Sequence, residues 1–349
     1  VTDQPAIPRP SRRADLLAIV FVVVAVGVAA WALRDDFPSM LTAIDKIAWW
    51  RPIVAFAGIV LGLLATAEVW KHCLGALGSP VSSRAAREIF FPAQVGKYLP
   101  GSVWPFLAQM KFARERGVPG GMALLAGSVF LVVHTVTSVI VGALLLVSQP
   151  DLVSRFGWAG VCIPLALVLL HPKVINLLAR KLAKRSGTTP PVLRWSGMVR
   201  PLLWMLPAWV GYGLAGYVLA DPFTDSVVQL AVVCTGAFAL GWLVGLLVFL
   251  APAGVGAREA VLILALTPLL GAPAAATVSL MLRVGHTLAD LALALRYGLA
   301  RARSNRERAS NGEHASNGEH VDDLVEPDEV LGVPGEQGHR AGSGRGGDL

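Results

Sequence analysis

The chain alternates long apolar runs with short polar connections. Eight runs are candidate helical spans: Ala14–Leu33, Pro52–Leu74, Gly121–Val147, Gly157–Leu170, Pro201–Ala220, Ser226–Leu250, Ala257–Leu270 and Pro273–Ala300. A run of about 18 or more apolar residues can cross ~30 Å of hydrocarbon as an α-helix. The pattern therefore predicts an all-α, polytopic membrane protein with about 8 transmembrane helices. The fourth and seventh runs are short, and a partial span in place of either changes that count. The first run has a rival reading. Arg9, Arg12 and Arg13 ahead of it and Ala30-Trp31-Ala32 near its end also describe a signal peptide. Its length, about 20 residues, exceeds a signal core and favours a retained helix.

Charge gives the orientation. Basic connections follow the second span (Lys71, Arg84, Arg87, Lys97, Lys111, Arg114, Arg116) and the fourth (Lys173, Arg180, Lys181, Lys184, Arg185, Arg194, Arg200). The intervening connections are mixed or nearly neutral: Arg34 to Arg51, the stretch around Asp151 and Arg155, and Asp221 to Asp225. Lys and Arg concentrate on the cytoplasmic side. The N-terminus, with its three arginines, is then cytoplasmic, and an even number of spans brings the C-terminus to the same side. Trp31, Trp49, Trp50, Trp158, Trp195 and Trp204 fall near the run edges, where an indole keeps its N–H wet. In Pro172–Gly187, Val174, Ile175, Leu178 and Leu182 share one helical face among basic residues. That is an interfacial amphipathic helix, serving at least as a topology anchor.

Composition agrees: 54% hydrophobic and 15% charged residues, against about 25% charged in a soluble domain. The net charge of +7 lies between apolar runs, so it reads as topology and lipid-surface charge, not a nucleic-acid footprint. Cys73, Cys162 and Cys234 are widely separated in or beside apolar runs and read as packed thiols. After Ser304 the sequence turns polar and repeats Ala309–His314 as Ala315–His320. Such a segment cannot bury enough apolar area to offset its ordering entropy. The expected organisation is a cytoplasmic N-terminal segment over 1–13, a membrane domain over 14–300 and a disordered cytoplasmic tail over 301–349.

Two stretches break the helical pattern. Phe90–Trp104 is apolar but carries two prolines and two glycines; Ala251–Glu259 contains Pro252, Gly254 and Gly256. Broken backbone at membrane depth is tolerated only where protein buries it or where it lines a polar cavity, and paired breaks point to a transport site. Both are candidate re-entrant segments. The pentapeptides Pro92–Gly96 and Pro252–Gly256 differ at one position and lie 160 residues apart, which admits either a parallel repeat or chance in a chain rich in Ala, Val and Gly. The helix following each break presents free N–H groups, with Lys97 and Arg258 close by, an arrangement suited to an anion.

The last span carries Arg283, His286 and Asp290 near one face. Ionisable groups inside a span usually face the protein interior or a wet cavity. His286 and Asp290, four apart, can touch; Glu259 is a candidate partner for Arg283, in a structural ion pair or a functional one. His134 reads as a hydrogen-bonded packing histidine, and Glu68 and Lys71 as residues reaching the cytoplasmic interface. No P-loop, GxSxG, HExxH or acidic metal cluster occurs, so no enzyme, cofactor or metal is expected.

Gln94-x-Gly96-Lys97-Tyr98-Leu99-Pro100-Gly101-x-Val103-Trp104 resembles the signature of the lysylphosphatidylglycerol synthase transmembrane-region family, the flippase-like membrane proteins. Pro252–Glu259 resembles its second signature, and Arg283 an arginine of its last helix. The resemblance covers roughly residues 14–300. It implies a multi-pass bacterial plasma-membrane protein concerned with lipid or glycolipid translocation. A polar tail stands where the synthases carry an aminoacyl-transferase domain, so lysyl transfer is not expected. The expected substrate-binding residues are Lys97, Gly96, Pro100, Gly101, Pro252, Gly254, Gly256, Arg258, Glu259, Arg283, His286 and Asp290. The expected partners are membrane lipids with an anionic headgroup. The alternative is a non-transporting membrane partner of a glycosyltransferase or envelope-assembly enzyme.

Overall fold

The computed structural model describes residues 37–99, 103–148, 192–248 and 252–322, with isolated positions between 164 and 181. Among these there is no strand. Nine α-helices follow in order: α1 Phe37–Asp45, α2 Trp50–Ala76, α3 Ser83–Gln94, α4 Trp104–Arg114, α5 Gly120–Ser148, α6 Trp195–Ala220, α7 Val227–Leu247, α8 Ala257–Leu270 and α9 Ala272–Asp322. Short 3-10 turns occupy Val95–Tyr98, Asp221–Phe223 and Pro252–Gly254. Five helices (α2, α5, α6, α7 and α9) are long and apolar enough to cross a membrane. The expected spans 14–33 and 157–170 lie outside the described residues, apart from two helical positions in the second.

The expected span Ala257–Leu270 is present with those bounds. At 1.5 Å per residue it is about 21 Å long, short of a ~30 Å crossing. By itself it falls short of a full crossing, the alternative that its short apolar run left open. α6 starts six residues earlier than expected and carries Pro201 and Pro207 inside it. A helix surrounded by other helices tolerates prolines that a pattern reading treats as boundaries. α9 runs through Asp322, past the expected boundary at Ala300. Of the amphipathic segment, 173–177, 180 and 181 are helical and Ile175 is buried; Leu178 and Leu182 lie outside the described residues. Asn176 exchanges two hydrogen bonds with the Leu193 backbone, at 2.9 and 2.8 Å, joining this segment to the approach to α6.

α2 and α6 form the most extensive helix pair. Gly58 and Gly62 of α2 face Gly211 and Tyr212 of α6, so closely that a Cβ on Gly211 would lie 2.6 Å from the Gly58 carbonyl oxygen. Lipid gives helices no hydrophobic reason to associate, so close backbone approach and van der Waals packing hold such pairs together. α7 packs on α5, α6 and α8. Cys73 and Cys234 are buried free thiols, as expected, and Cys162 lies outside the described residues. Trp49, Trp50, Trp195 and Trp204 are exposed.

Ion pairs tie the helices together at both ends of the bundle. At the end where α2 finishes and α6 begins, Gly197 stands beside Ala76. Arg87 reaches Glu68 at 2.9 Å there, and Arg301 reaches Glu115 at 2.7 Å. At the other end Arg51 pairs with Asp221 at 2.7 Å and donates to the Val218 carbonyl at 2.8 Å. Glu68 and Lys71 do not simply reach an interface. Glu68 is 3% exposed and accepts hydrogen bonds from Lys71, Ser83 and Arg87. Glu88 is buried completely between Arg84 and Arg116.

Candidate functional site: a charged cavity between two broken segments

The first break is a helical hairpin. Ser82 caps α3, its hydroxyl accepting the Ala85 N–H at 3.2 Å. Phe90 and Phe91 on α3 are buried, and Phe91 stacks on Tyr297 of α9 with centroids 5.2 Å apart. Pro92 lies in the last turn of α3, the 3-10 turn Val95–Tyr98 follows, and α4 starts at Trp104 with Pro105 in its first turn. Pro105 costs nothing there, because first-turn N–H groups have no helical partner. Gln109 ties α4 to α2 by accepting the Trp70 indole N–H at 3.0 Å.

The second break is a left-handed turn. Ala253, Gly254 and Gly256 have φ of 52°, 69° and 85°. Gly254 is required twice over: by its positive φ and by Gly245 of α7, whose Cα would lie 2.8 Å from an added Cβ. The two pentapeptides that look alike in letters therefore differ in backbone. Pro92–Gly96 is helical, Gly254 and Gly256 are left-handed, and the likeness gives no structural repeat.

The breaks meet: the turn Val95–Tyr98 touches the turn Pro252–Gly254. Between them lies a cavity of about 210 Å³. Lys97, Gly254, Arg258, Glu259, Arg283, His286 and Asp290 line it, seven of the twelve expected site residues. Gly96 packs instead against the α4 backbone, where a Cβ would lie 2.9 Å from Pro105 N. Gly256 supplies an N–H to Glu259. Pro252 belongs to the second turn, and Pro100 and Gly101 lie outside the described residues.

Two ion pairs bridge the cavity walls. Lys97 Nζ lies 2.6 Å from Asp290 Oδ2, and the Tyr98 hydroxyl donates to the same oxygen at 2.8 Å. Arg283 Nη1 lies 3.2 Å from Glu259 Oε1 and donates to the Ala253 carbonyl at 3.0 Å. The expected Arg283–Glu259 partnership is thus in place. His286 and Asp290 share the cavity as neighbours, but no hydrogen bond joins them among the described residues: the carboxylate reaches across to the first break. The expectation that the α8 N-terminus offers free N–H groups also needs correction. Glu259 Oε2 accepts the Gly256 N–H at 2.6 Å, so the helix satisfies part of its own terminus.

Arg258 differs from the other two cations. Its guanidinium lies over the Phe238 ring, 4.4 Å from the centroid. No hydrogen bond or carboxylate partner accompanies that contact among the described residues. Behind it stands an aromatic wall: Tyr212 stacks on Phe238 at 4.6 Å, and His134 stacks on Trp242 at 3.9 Å. His134 is 2% exposed and neither ring nitrogen has a partner. It packs as expected but is not hydrogen-bonded. Among the missed lining residues are Tyr98, which stood in the first signature, and the aromatics of α5, α6 and α7. Apolar rings in an apolar span give no sequence signal.

A bundle of membrane-spanning helices around a charged cavity, with two backbone breaks in its walls, is a polytopic helical membrane protein. Its walls come from elements 160 and more residues apart in sequence. The chain belongs to the lysylphosphatidylglycerol synthase TM region family, whose sequence model matches residues 16–294. No curated protein matches it.

Proposed function

We propose that this chain is a flippase-like protein that binds an anionic lipid or glycolipid headgroup in the cavity and carries it across a bacterial plasma membrane. The carrying observation is the charge balance. Lys97, Arg258 and Arg283 face two carboxylates, Asp290 and Glu259, each already paired with a cation. The surplus charge is Arg258. A guanidinium offers several donors in a fork that matches a phosphate. Away from bulk water such a contact is stronger than at an exposed surface. The volume supports a headgroup and not a whole lipid, since pockets for drug-sized ligands run about 300–1,000 Å³. The acyl chains would remain in the bilayer. In this reading the chain performs no covalent chemistry and both termini are cytoplasmic.

The test is leaflet exchange of fluorescent anionic and zwitterionic lipids in reconstituted vesicles. Protein should accelerate exchange of the anionic lipid. Arg258→Ala should slow it at least about tenfold, a loss of ~1.4 kcal/mol. Equal rates with and without protein, for every lipid, would sink the transport reading. A role as partner of an envelope glycosyltransferase predicts that outcome, with Arg258→Ala silent in cells.

A further inference from the structure

The Lys97–Asp290 pair has a feature that a purely structural bridge lacks. Asp290 is 3% exposed and presents Oδ2 to both Lys97 and Tyr98, while Oδ1 has no partner. A buried carboxylate normally has its lone pairs satisfied by several donors. One turn back, His286 Nδ1 is also buried without a partner. Glu259 contrasts with this: one oxygen takes Arg283 and the other takes the Gly256 N–H. Among the described residues, only Lys97 supplies full positive charge directly to Asp290, and it comes from the turn Val95–Tyr98, a different element from α9.

We propose that Asp290 is a proton-binding site that couples headgroup binding to proton uptake: an anion entering the cavity takes Lys97, and the carboxylate it releases binds one proton. This rests on the anion-binding reading above. The step breaks no bond in the ligand. One O–H bond forms on the Asp290 carboxylate, with the proton drawn from water, and Lys97 keeps its own protons. Lys97 and Tyr98 face Asp290 across the cavity from the re-entrant turn, Arg258 and Glu259 from α8, Tyr212 from α6 and His134 from α5, with Arg283 and His286 on α9 itself. Counting both histidines neutral, these groups sum to +1 with Asp290 charged. A singly charged anion brings the sum to zero, and the proton restores +1. The carboxylate is the acceptor because a proton on His286 would add a fourth cation beside Lys97, Arg258 and Arg283. A ligand anion and a proton moving together carry no net charge.

The experiment is calorimetric titration of the full chain in detergent with short-chain phosphatidylglycerol, in buffers of different ionisation enthalpy and at several pH values. The expected result is uptake of close to one proton per lipid bound. Affinity should then weaken about tenfold per pH unit as pH rises, since protons bound with the ligand favour binding at low pH. Asp290→Asn should abolish the uptake, flatten the pH dependence and tighten binding, because Lys97 no longer has to leave a carboxylate. Should that variant misfold, Lys97→Gln gives the same readout from the other side. Its Asp290 already carries the proton, so binding weakens and no proton is taken up. Lipid binding with no proton uptake in the unaltered protein overturns the coupling and leaves the anion site standing. Proton uptake with inorganic phosphate but no binding of the lipid leaves the coupling standing and overturns the lipid reading. Absence of binding by both probes overturns both.

Discussion

Arg258 and Glu88 show how differently one charged residue can be used in this bundle. Arg258 rests on an aromatic face with its hydrogen-bonding capacity unspent among the described residues, as the proposed anion site requires. Glu88 is fully buried and committed to Arg84 and Arg116. Removing one member of a buried pair leaves a charge without compensation, at about 3–5 kcal/mol. Glu88→Ala should therefore lower the thermal unfolding midpoint in detergent markedly. Arg258→Ala should leave that midpoint nearly unchanged while reducing anion binding. A drop in Tm for Arg258→Ala as large as that for Glu88→Ala would show that the guanidinium holds the fold and not a ligand. Ala253 is the one non-glycine residue with positive φ among those described. Left-handed backbone costs a non-glycine residue about 1 kcal/mol or more. Ala253→Gly should raise stability by up to about 1 kcal/mol and keep the carbonyl where Arg283 finds it.

At the scale of elements, the decisive contacts are close backbone approaches and one helical hairpin. Gly58, Gly62 and Gly211 let α2 and α6 come together until a single methyl would clash. Overpacking of this kind costs about 1–3 kcal/mol. Gly211→Ala should destabilise the protein by that amount, and Gly58→Ala combined with it should cost less than the sum, because both open the same gap. Unfolding midpoints of the two single variants and the double variant would measure this, and full additivity would contradict the shared contact. The hairpin of α3 and α4 is held at both flanks: to α2 by Trp70–Gln109 and Arg87–Glu68, and to α9 by Phe91–Tyr297. Its turn, carrying Lys97, is held to α9 by the Asp290 pair alone among the ion pairs of the described residues. Loss of that pair should free the turn while the flanks stay in place. Hydrogen exchange in Asp290→Asn should rise at Val95–Tyr98 and stay unchanged in α3.

For the whole molecule, the proposed orientation rests on the positive-inside rule, which puts the arginine-rich end in the cytoplasm. Arg84, Arg87, Arg116 and Arg301 share the end at which α2 finishes, whereas Arg51 and Asp221 belong to the other. With the basic end cytoplasmic, a cysteine placed at Asp225 should react with a membrane-impermeant maleimide added outside intact cells. One placed at Arg303 should react only after the membrane is opened. The reverse pattern would put the basic end outside and overturn that orientation. Along α9, Arg283 and Asp290 lie roughly 16 and 27 Å from Ala272 at 1.5 Å per residue. In that orientation the Lys97–Asp290 pair lies toward the cytoplasmic side of the ~30 Å hydrocarbon layer.

Everything that depends on local composition and span length is legible in the amino-acid order. The all-α membrane class, the bounds of α8, the two breaks and the Arg283–Glu259 partnership all follow from runs of apolar residues and from the cost of charge or broken backbone in lipid. Lys97 and Arg258 were legible for the same reason: basic residues beside proline and glycine at membrane depth need a polar destination. Which groups share that destination depends on how the helices pack. Asp290 could have turned to His286 one turn away, yet it crosses to Lys97, because the α3–α4 hairpin folds into the bundle against α9. No local pattern encodes a contact between positions 97 and 290. The aromatic wall and the glycine contacts were equally silent, since in an apolar span a lipid-facing, a packed and a cavity-lining side chain look the same until the helices are placed around them.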